Sequence, residues 1–520
     1  MPDARINMAF EMDEKGIRKK EYKQYLFYAL KSAVFIVILY FAYCRLTDVF
    51  RFKNEEEITQ SYYEDRRTGN EVVFLGPSTV MNAVWPMELW DSYGITAYNL
   101  GSGAQSPALS FYLIRDVIQR EHPSCIVFDC GRVFMDEVNP GSGFFHYLTD
   151  NMPLLSKERI HMILDLSEDE EKDYLFPLNA YHGRWKDPIA ESDFKADEKF
   201  ITRGAKIEVN HSVQPRYEHH EIITDGALKG AGLAYLDKII ELCKKTDTKL
   251  LLLTIPFPSK RPDISQEEYD KRINAAYALE QYCTEKDTLY LNLLDKAPEL
   301  GIDYTKDTYD GEHLSMYGAI KFTRYIGKVL NEDYGIGDSS GASDNSIMEK
   351  AYVDFREYLV KRCLLNTVYT GVLFDNLNYI AESGEYVTVL SVNGHIPGEE
   401  NASFERFLNR FGLKENVIKN PGKAYIAILD GTDAVYEETG TETGQELEFS
   451  GTVGEFGMNI VSTADSKASA SCRLEVNGTD YLNGMPGMAV LVLEKKSGKA
   501  VNCAYITDYQ PDSMFQRMYN

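Results

Sequence analysis

Short apolar runs separated by amphipathic stretches organise the chain between residues 71 and 335. Five of these runs predict strands, at 71–76, 96–101, 125–131, 248–258 and 288–294. Stretches with helical spacing follow or separate them, at 106–123, 265–283 and 315–330. Continuous apolar strands that alternate with helices are typical of a parallel sheet covered on both faces. The pattern therefore predicts a three-layer α/β/α domain over 71–335.

The pattern breaks between the third and fourth predicted strands. Residues 132–247 are far more than an ordinary crossover requires, and insertions of this length are usually functional or lid-like. They are predicted to form a long insertion in the α/β domain.

A second change of pattern follows the sheet. Residues 336–346 are rich in Gly, Ser, Asp and Asn and are predicted to be a linker. The remainder, 347–520, is predicted to begin with a helix at 347–365. Strand-rich sequence with Gly and Asn turns then dominates, with one helix at 402–412. This indicates a β-rich α+β accessory domain.

The N-terminus carries an apolar run, Tyr25 to Cys44, whose one charge is Lys31. Its length suits a bilayer crossing, so 25–46 is predicted to be a transmembrane signal anchor. A cytoplasmic tail, 1–24, would precede it and a charged stalk, 47–70, would follow, because basic residues stay on the cytoplasmic side. The alternative is a buried core helix. A cleaved signal peptide and a lipoprotein at Cys44 are less favoured, since no small-residue cleavage pattern is present. The basic residues are Lys15, Arg18, Lys19, Lys20 and Lys23.

Composition narrows the classes of partner. A chain of 520 residues requires more than one core, and a net charge of −25 argues against nucleic acid. None of the eight cysteines forms C-x-x-C, and no Cys/His cluster has zinc spacing, so no zinc site is predicted. The candidate chemistry at the strand ends requires neither a metal nor an organic cofactor. Cys472 and Cys503 could pair in an oxidising exterior.

Candidate chemistry lies at the ends of the predicted strands. Ser78 follows the first strand in "VVFLGPSTV", and Asp310 and His313 follow the last in "YDGEHLSMYGAIKF". Carboxyl ends of parallel strands share one edge, so the three side chains can meet. Ser78 would then be a nucleophile, His313 its base and Asp310 the group that orients the imidazole. Taken singly, each has an ordinary structural alternative, namely a turn serine or a helix cap.

These motifs resemble a known family. "FLGPSTV", "AYNLGSGAQSP" and "YDGEHLSMYGAIKF" look like blocks I, II and V of the SGNH (GDSL-type) hydrolases. The resemblance implies a flavodoxin-like fold. By the family's motifs, it also implies that Ser78 is the nucleophile, His313 the base and Asp310 the partner of that base. The pattern is most similar to membrane-anchored bacterial members that acylate or deacylate surface polymers.

The sequence departs from that family at the oxyanion hole. Pro77 replaces the usual block I Asp, and the third strand ends "FDCGRVF" without the block III Asn. The resemblance leaves the backbone N–H groups of Ser78, Gly103 and Ala104 as candidates for the oxyanion hole, with Asn99, the block II residue, as a further candidate. Loss of one donor typically costs about 10²–10³ in rate.

Substrate-binding candidates are Arg132, next to the third strand, and a cluster in the insertion. "YHGRW" brings together His182, Arg184 and Trp185. Aromatic faces suit sugar rings, and arginine suits carboxylate or phosphate. The alternative is a loop clamped by a buried Trp.

The C-terminal domain is similar to the interleukin-like EMT inducer (ILEI/PANDER) domain over about 368–510. "LEVNGTDYLNGMPGMAVLVLEKKSG" carries the most specific part of the likeness. A carbohydrate-binding role is implied by analogy, and a structural or oligomerising role is the alternative.

Together these features predict a single-pass cell-membrane protein with its bulk outside the cytoplasm. The expected activity is that of a serine-dependent ester hydrolase or O-acyltransferase on acylated surface polysaccharide. The alternative is a non-catalytic carbohydrate-binding or envelope-assembly protein that retains the fold.

Overall fold

The computed structural model describes most of the chain as helices and strands. The residues described are 3–51, 58–64, 69–135, 138, 141–167, 171–188, 201–337, 345–365, 370–394, 402–419, 422–442, 444–464, 471–482, 487–506 and 514–518. The predicted linker at 336–346 lies largely outside them, as do parts of the predicted stalk.

The helices are α1 Asp3–Phe50, α2 Ile58–Glu64, α3 Ser78–Ala83, α4 Pro86–Tyr93, α5 Pro107–Glu121, α6 Ser142–Asn151, α7 Lys157–Leu166, α8 Glu171–Leu175, α9 Leu178–Tyr181, α10 Ala231–Thr246, α11 Gln266–Glu285, α12 Met316–Glu332, α13 Asn345–Leu365, α14 Thr370–Glu382 and α15 Ala402–Phe411. The strands are β1 Val72–Leu75, β2 Ala97–Asn99, β3 Cys125–Asp129, β4 Lys249–Thr254, β5 Tyr290–Asn292, β6 Tyr386–Asn393, β7 Tyr425–Asp430, β8 Asp433–Thr439, β9 Glu446–Val453, β10 Phe456–Thr463, β11 Arg473–Val476, β12 Thr479–Asp480, β13 Gly487–Glu494, β14 Lys499–Ile506 and β15 Met514–Met518.

Five strands form the predicted parallel sheet, in the order β2-β1-β3-β4-β5. β1 lies at the switch point, paired in parallel with β2 and with β3. This is the flavodoxin-like order, in which ligands bind beyond the carboxyl ends of the strands. The predicted α/β/α fold is confirmed.

Both faces of this sheet are covered because the apolar residues of its strands point to both sides, as β1 shows with four buried apolar residues in a row. Val72 and Phe74 point into one hydrophobic cluster, which contains side chains of α4 and α12. Val73 and Leu75 point into a second cluster, which contains side chains of α5 and α10. The alternation follows from the two-residue period of a strand.

The insertion differs from a simple lid. Its last part is α10, a 16-residue helix that serves as the crossover between β3 and β4. Ahead of α10, residues 201–209 run back to β2, where the Arg203 backbone oxygen accepts from Asn99 N–H at 3.0 Å. The buried Arg203 guanidinium also donates to Ala97 O at 2.8 Å and to Asn70. The insertion therefore completes the edge of the sheet beside β2.

The C-terminal domain contains the expected strand-rich fold. Its sheet runs β12-β11-β10-β6-β13-β14-β15, with β7 on β6, β8 on β7, and β9 on β10. α13 and α15 match the two predicted helices, whereas α14 was not predicted. No disulfide joins any of the eight cysteines, all of which lie in described segments.

One hydrophobic cluster joins the two domains. Phe322 of α12 and Trp85 belong to the same cluster as Phe374 and Phe407 of the C-terminal domain. Trp85 meets Phe355 of α13 edge-on, with ring centroids 5.8 Å apart. The domains therefore share a core across α4, α12, α13, α14 and α15.

The N-terminal helix contains a segment, Tyr22–Phe50, that is long and apolar enough to span a membrane, with a mean hydropathy of 1.9. Length and composition also fit a signal sequence. The alternative of a buried core helix is wrong, because none of its most apolar window is buried. Part of the predicted stalk is not a free spacer: Ser61 and Tyr62 are buried, and Ser61 shares a hydrogen bond with Tyr98.

We expect Gly204→Ala to destabilise the α/β domain. Gly204 has a φ of +88°, and a Cβ there would lie 1.9 Å from the Asn99 oxygen. Overpacking of this kind typically costs about 1–3 kcal/mol. Thermal melting of the full chain in detergent should show a lower melting temperature. Gly183→Ala is the matched control, since Gly183 has helical backbone angles and open space around it; equal melting of the two variants would contradict the prediction.

Candidate active site

A tight turn presents Ser78 at the carboxyl end of β1. Gly76 has a φ of +149°, and a Cβ there would lie 2.6 Å from Val80 and 2.8 Å from Asp129. Only glycine fits this close approach between two neighbouring turns. Pro77 then precedes Ser78, which begins α3.

The loop before α12 brings a histidine and an aspartate to the same place. Ser78 Oγ lies 2.7 Å from His313 Nε2, and His313 Nδ1 lies 2.8 Å from Asp310 Oδ2. Asp310 Oδ1 also accepts the backbone N–H of His313 at 2.8 Å. With Nδ1 protonated towards Asp310, Nε2 can accept the Ser78 proton. The three residues form a continuous hydrogen-bonded chain.

The surroundings of Asp310 favour its ionised form. Burial alone would raise the pKa of this carboxyl, but the hydrogen bonds from His313 and the nearby Arg261 charge outweigh burial and hold that pKa below its ordinary value. Arg261 Nε is 3.9 Å from Asp310 Oδ2. The carboxylate therefore remains available to orient the imidazole at neutral pH.

Two arginines fix this loop from behind. The buried Glu312 binds Arg261 at 2.5 Å and Arg272 at 2.7 Å. Gly311, at a φ of +106°, packs against the Lys260 backbone, where a Cβ would be 2.3 Å from the oxygen. The loops after β4 and β5 are thus held together beside His313.

Ser78 and His313 open into a cavity of about 350 Å³. Its walls come from the turns after β1, β2, β3 and β4 and from the loop before α12. Among the described residues that line it, the cations outnumber the carboxylates: Arg132, Lys206, Arg261 and Arg272 against Asp129 and Glu312. The charge of this cavity is opposite to that of the chain as a whole, which carries −25.

The backbone of the turn after β2 faces this cavity. Gly103 and Ala104 both line it, and Ala104 has a φ of +51°. Ser102 N–H donates to Gly76 O at 3.1 Å, which holds this turn against the Ser78 turn. Ser78, Gly103 and Ala104 therefore all line the cavity, and their N–H groups stay the candidate donors to an oxyanion.

Asn99 does not fit its expected place at the oxyanion hole. Its side chain is fully buried, and Nδ2 donates to Val80 O at 2.7 Å and Val84 O at 2.8 Å. Its Oδ1 accepts the N–H of Gly101 at 3.1 Å. Both amide hydrogens and the amide oxygen are engaged in holding α3 against the turn after β2, so Asn99 positions Ser78 from behind.

Asp129, which the sequence-based prediction missed, lies in the cavity wall at the end of β3. It accepts from Thr79 Oγ1 and from Gly131 N–H, both at 2.9 Å. Burial raises the pKa of Asp129 to about 6 despite these hydrogen bonds. The signal that could have found it was an acidic residue at the carboxyl end of a buried strand.

Asn82 is a second unpredicted residue of the cavity wall. It lies one helical turn after Ser78, is 2% exposed, and its Nδ2 has no hydrogen-bond partner in the described chain. Residues four apart on a helix share a face, which explains its position beside Ser78. Asn82 thus places a side-chain amide near the serine.

The substrate-binding candidates separate into two places. Arg132 lines the cavity as predicted. His182, Arg184 and Trp185 do not: Arg184 donates to Phe50 O at 2.9 Å and Arg51 O at 2.8 Å, at the end of α1. Trp185 is 67% exposed, which also excludes the alternative of a buried clamp. The cluster lies beside the end of α1, against which α9 packs, and not over the cavity.

No family model matches the chain, and no curated protein matches it. Two solved structures are similar to part of it. A proposed acylhydrolase from Bacteroides fragilis is 12% identical and covers 54% of this chain and 99% of its own, with a TM-score of 0.29. A proposed platelet activating factor from Streptococcus pneumoniae is 13% identical and covers 53% and 92%, with a TM-score of 0.28. The fold assignment rests on the strand order and register above.

We expect Asp129→Asn to gain stability relative to wild type as pH rises. Burial favours the protonated form of an acid whose pKa is raised in the folded state. The stability that protonated Asp129 gives the wild type is therefore lost as pH rises from about 4 to about 6. The Asn side chain carries no charge; its oxygen can still accept from Gly131 N–H, and its NH2 can donate to the Thr79 hydroxyl once that hydroxyl turns to accept. The difference in unfolding free energy, variant minus wild type, should grow by about 1 kcal/mol between pH 5 and pH 7.5.

Chemical denaturation at the two pH values measures this difference. Asp433→Asn on β8 is the control, because Asp433 is exposed. If the stability difference for Asp129→Asn is as flat with pH as that for Asp433→Asn, Asp129 is not the buried acid described here.

Proposed function

We propose that the chain is a membrane-anchored serine esterase or O-acyltransferase, similar to SGNH hydrolases, that acts on acylated surface polysaccharide. The observation that carries this proposal is the chain of hydrogen bonds from Ser78 through His313 to Asp310 in a cavity wall. A serine becomes a useful nucleophile when an adjacent base accepts its proton and a third group orients that base.

The first half-reaction forms an acyl-enzyme. His313 Nε2 removes the proton as Ser78 Oγ attacks the ester carbonyl carbon, and the carbonyl electron pair moves to oxygen. The N–H groups of Ser78, Gly103 and Ala104, with the amide of Asn82, are the candidate donors to this oxyanion. The C–O bond to the alcohol then breaks, and His313 gives its proton to the leaving oxygen.

The second half-reaction regenerates the serine. His313 removes a proton from the acceptor, whose oxygen attacks the acyl carbon, and Ser78 leaves as the proton returns to it. Water as acceptor makes the chain an esterase, whereas a glycan hydroxyl makes it an O-acyltransferase. Asp310 remains ionised throughout and stabilises the imidazolium.

The surroundings favour an anionic glycan as the alcohol. Arginine side chains recognise carboxylates and phosphates, and the cavity is lined by three of them and Lys206. An ectodomain anchored through Tyr22–Phe50 would meet such polymers at the cell surface.

We expect Ser78→Ala to abolish labelling by an acyl-like fluorophosphonate probe and to lower ester hydrolysis by at least about 10³-fold. The variant removes the attacking oxygen and leaves the cavity otherwise unchanged. Mass spectrometry of the labelled full chain locates the adduct. Ser92→Ala, which removes a hydroxyl bonded to Glu88 on α4, is the control and should label normally. A folded wild type without an adduct at Ser78 would favour the non-catalytic alternative.

Asp310→Asn should lower kcat by roughly 10²–10⁴-fold with little effect on KM, because an amide no longer holds the productive imidazole tautomer. Steady-state kinetics with 4-nitrophenyl acetate measures both constants. A change confined to KM would mean that Asp310 serves only substrate binding.

The acceptor is identified by following the acetyl group. Acetylated anionic glycan is incubated with wild type and with Ser78→Ala, with and without unmodified glycan. Free acetate indicates an esterase, and acetyl on the added glycan indicates a transferase. Absence of both with the wild type argues against this substrate class.

A further inference from the structure

A second opening lies where the two domains meet, between α4 and α12 on one side and α13, α14 and α15 on the other. We call it the interdomain cleft. Its volume is about 820 Å³, against about 350 Å³ for the cavity at Ser78, and the two openings share none of their lining residues. It is within the size range of ligand sites. Its lining includes Tyr352, Arg356, Asn378 and Tyr379.

The walls of the interdomain cleft are held in place without a ligand. Tyr317 OH on α12 donates to Asn376 on α14 at 2.9 Å. Arg406 on α15 donates to Asp375 at 2.9 Å, and His211 from the insertion meets the same carboxylate at 3.0 Å. The shared hydrophobic cluster lies beneath. Because these walls are already ordered, ligand binding to the interdomain cleft would cost little conformational entropy in the protein.

Positive charge is in excess in the interdomain cleft. Among its described lining residues six are Lys or Arg and four are Asp or Glu. Three of these carboxylates already pair with lining arginines: Glu88 with Arg324 at 2.6 Å, Asp375 with Arg406, and Glu382 with Arg410. In a chain of net charge −25 this is a local reversal of sign, which concentrates anions there.

Arg356 is the cation best placed to meet a ligand. It is half-buried, and its guanidinium lies 5.1 Å from the ring centroid of Tyr379. Asp91, the fourth lining carboxylate, and the hydroxyl of Tyr352 both stabilise its charge, but among the described residues it has no ion pair of the kind that holds Arg324, Arg406 and Arg410. This cation–π contact restrains the guanidinium on the cleft wall, and a guanidinium can make a bidentate contact with a carboxylate. Tyr352, also half-buried, adds a second phenol ring to the same wall.

A hydrogen-bond acceptor in the interdomain cleft lacks a donor. Asn378 Oδ1 is buried and has no partner in the described chain. Buried polar atoms are nearly always satisfied, so an unsatisfied one on a cleft wall points to a ligand that donates. A hydroxyl group is such a donor.

We infer that the interdomain cleft binds an anionic oligosaccharide, with a uronate carboxylate on Arg356, a hydroxyl on Asn378 and a sugar face on Tyr352. Carbohydrate combines these three features, since each ring has an apolar face, several hydroxyl donors and, in uronates, a carboxylate. An acidic peptide would satisfy the arginine but does not explain the two phenol rings on the same wall as an unsatisfied amide. The inference does not depend on catalysis at Ser78.

Titration calorimetry of the full chain in detergent tests the inference. Hexagalacturonate is the probe, maltohexaose is the uncharged comparison, and hexaglutamate represents an acidic peptide. We expect hexagalacturonate to bind most tightly, with an affinity that falls as salt rises. Equal binding of maltohexaose, tighter binding of hexaglutamate, or no binding of hexagalacturonate would overturn the inference.

Variants locate the site. Arg356→Gln should weaken hexagalacturonate binding at least tenfold. Arg356→Lys, which keeps the charge, should weaken this binding less than Arg356→Gln does. Tyr352→Ala should also weaken hexagalacturonate binding. Arg473→Gln on β11 removes an exposed arginine elsewhere and should have no effect. Ser78→Ala should bind as wild type, and Arg356→Gln should keep wild-type hydrolysis of 4-nitrophenyl acetate, which separates this site from the proposed activity. Unchanged affinity in both Arg356→Gln and Tyr352→Ala would place the ligand elsewhere.

Discussion

The parallel pairing of β1 with both β2 and β3 is the constraint on which the candidate site depends. In this register the turns after the three strands lie side by side, and Gly76 allows two of them to approach within van der Waals distance. Ser78, Ala104 and Asp129 reach one cavity because their strands end together. A parallel sheet gathers distant segments at its carboxyl edge in this way whatever the chemistry of the turns.

The core shared by the two domains is the second organising feature. Trp85 and Phe355 meet in it, and α12 packs on the sheet while Tyr317 reaches α14. The helix that follows His313 is therefore also the wall of the interdomain cleft. A disturbance of this core would reach both openings, since both are built on α12 or on the loop that leads into it.

Electrostatics distinguishes these two openings from the rest of the molecule. The chain is strongly acidic, yet cations are in excess at each opening. Buried carboxylates such as Glu312 hold arginines in place rather than repel ligands, because each is already paired. Asp129, in contrast, is buried among neutral donors, so its proton is retained to unusually high pH.

The sequence by itself determined the order of strands and helices, the long insertion, the apolar N-terminal segment and the candidates Ser78, Asp310 and His313. These follow from local patterns: apolar runs, helical spacing and turn residues at strand ends. The tertiary structure alone decided that Asn99 supports α3 from behind, that Arg184 and Trp185 lie beside α1, and that Asn82, Asp129 and Arg261 line the cavity. It also created the interdomain cleft, whose walls come from segments far apart in the chain. No local pattern encodes such contacts, because they arise only when separate elements bury a common apolar face.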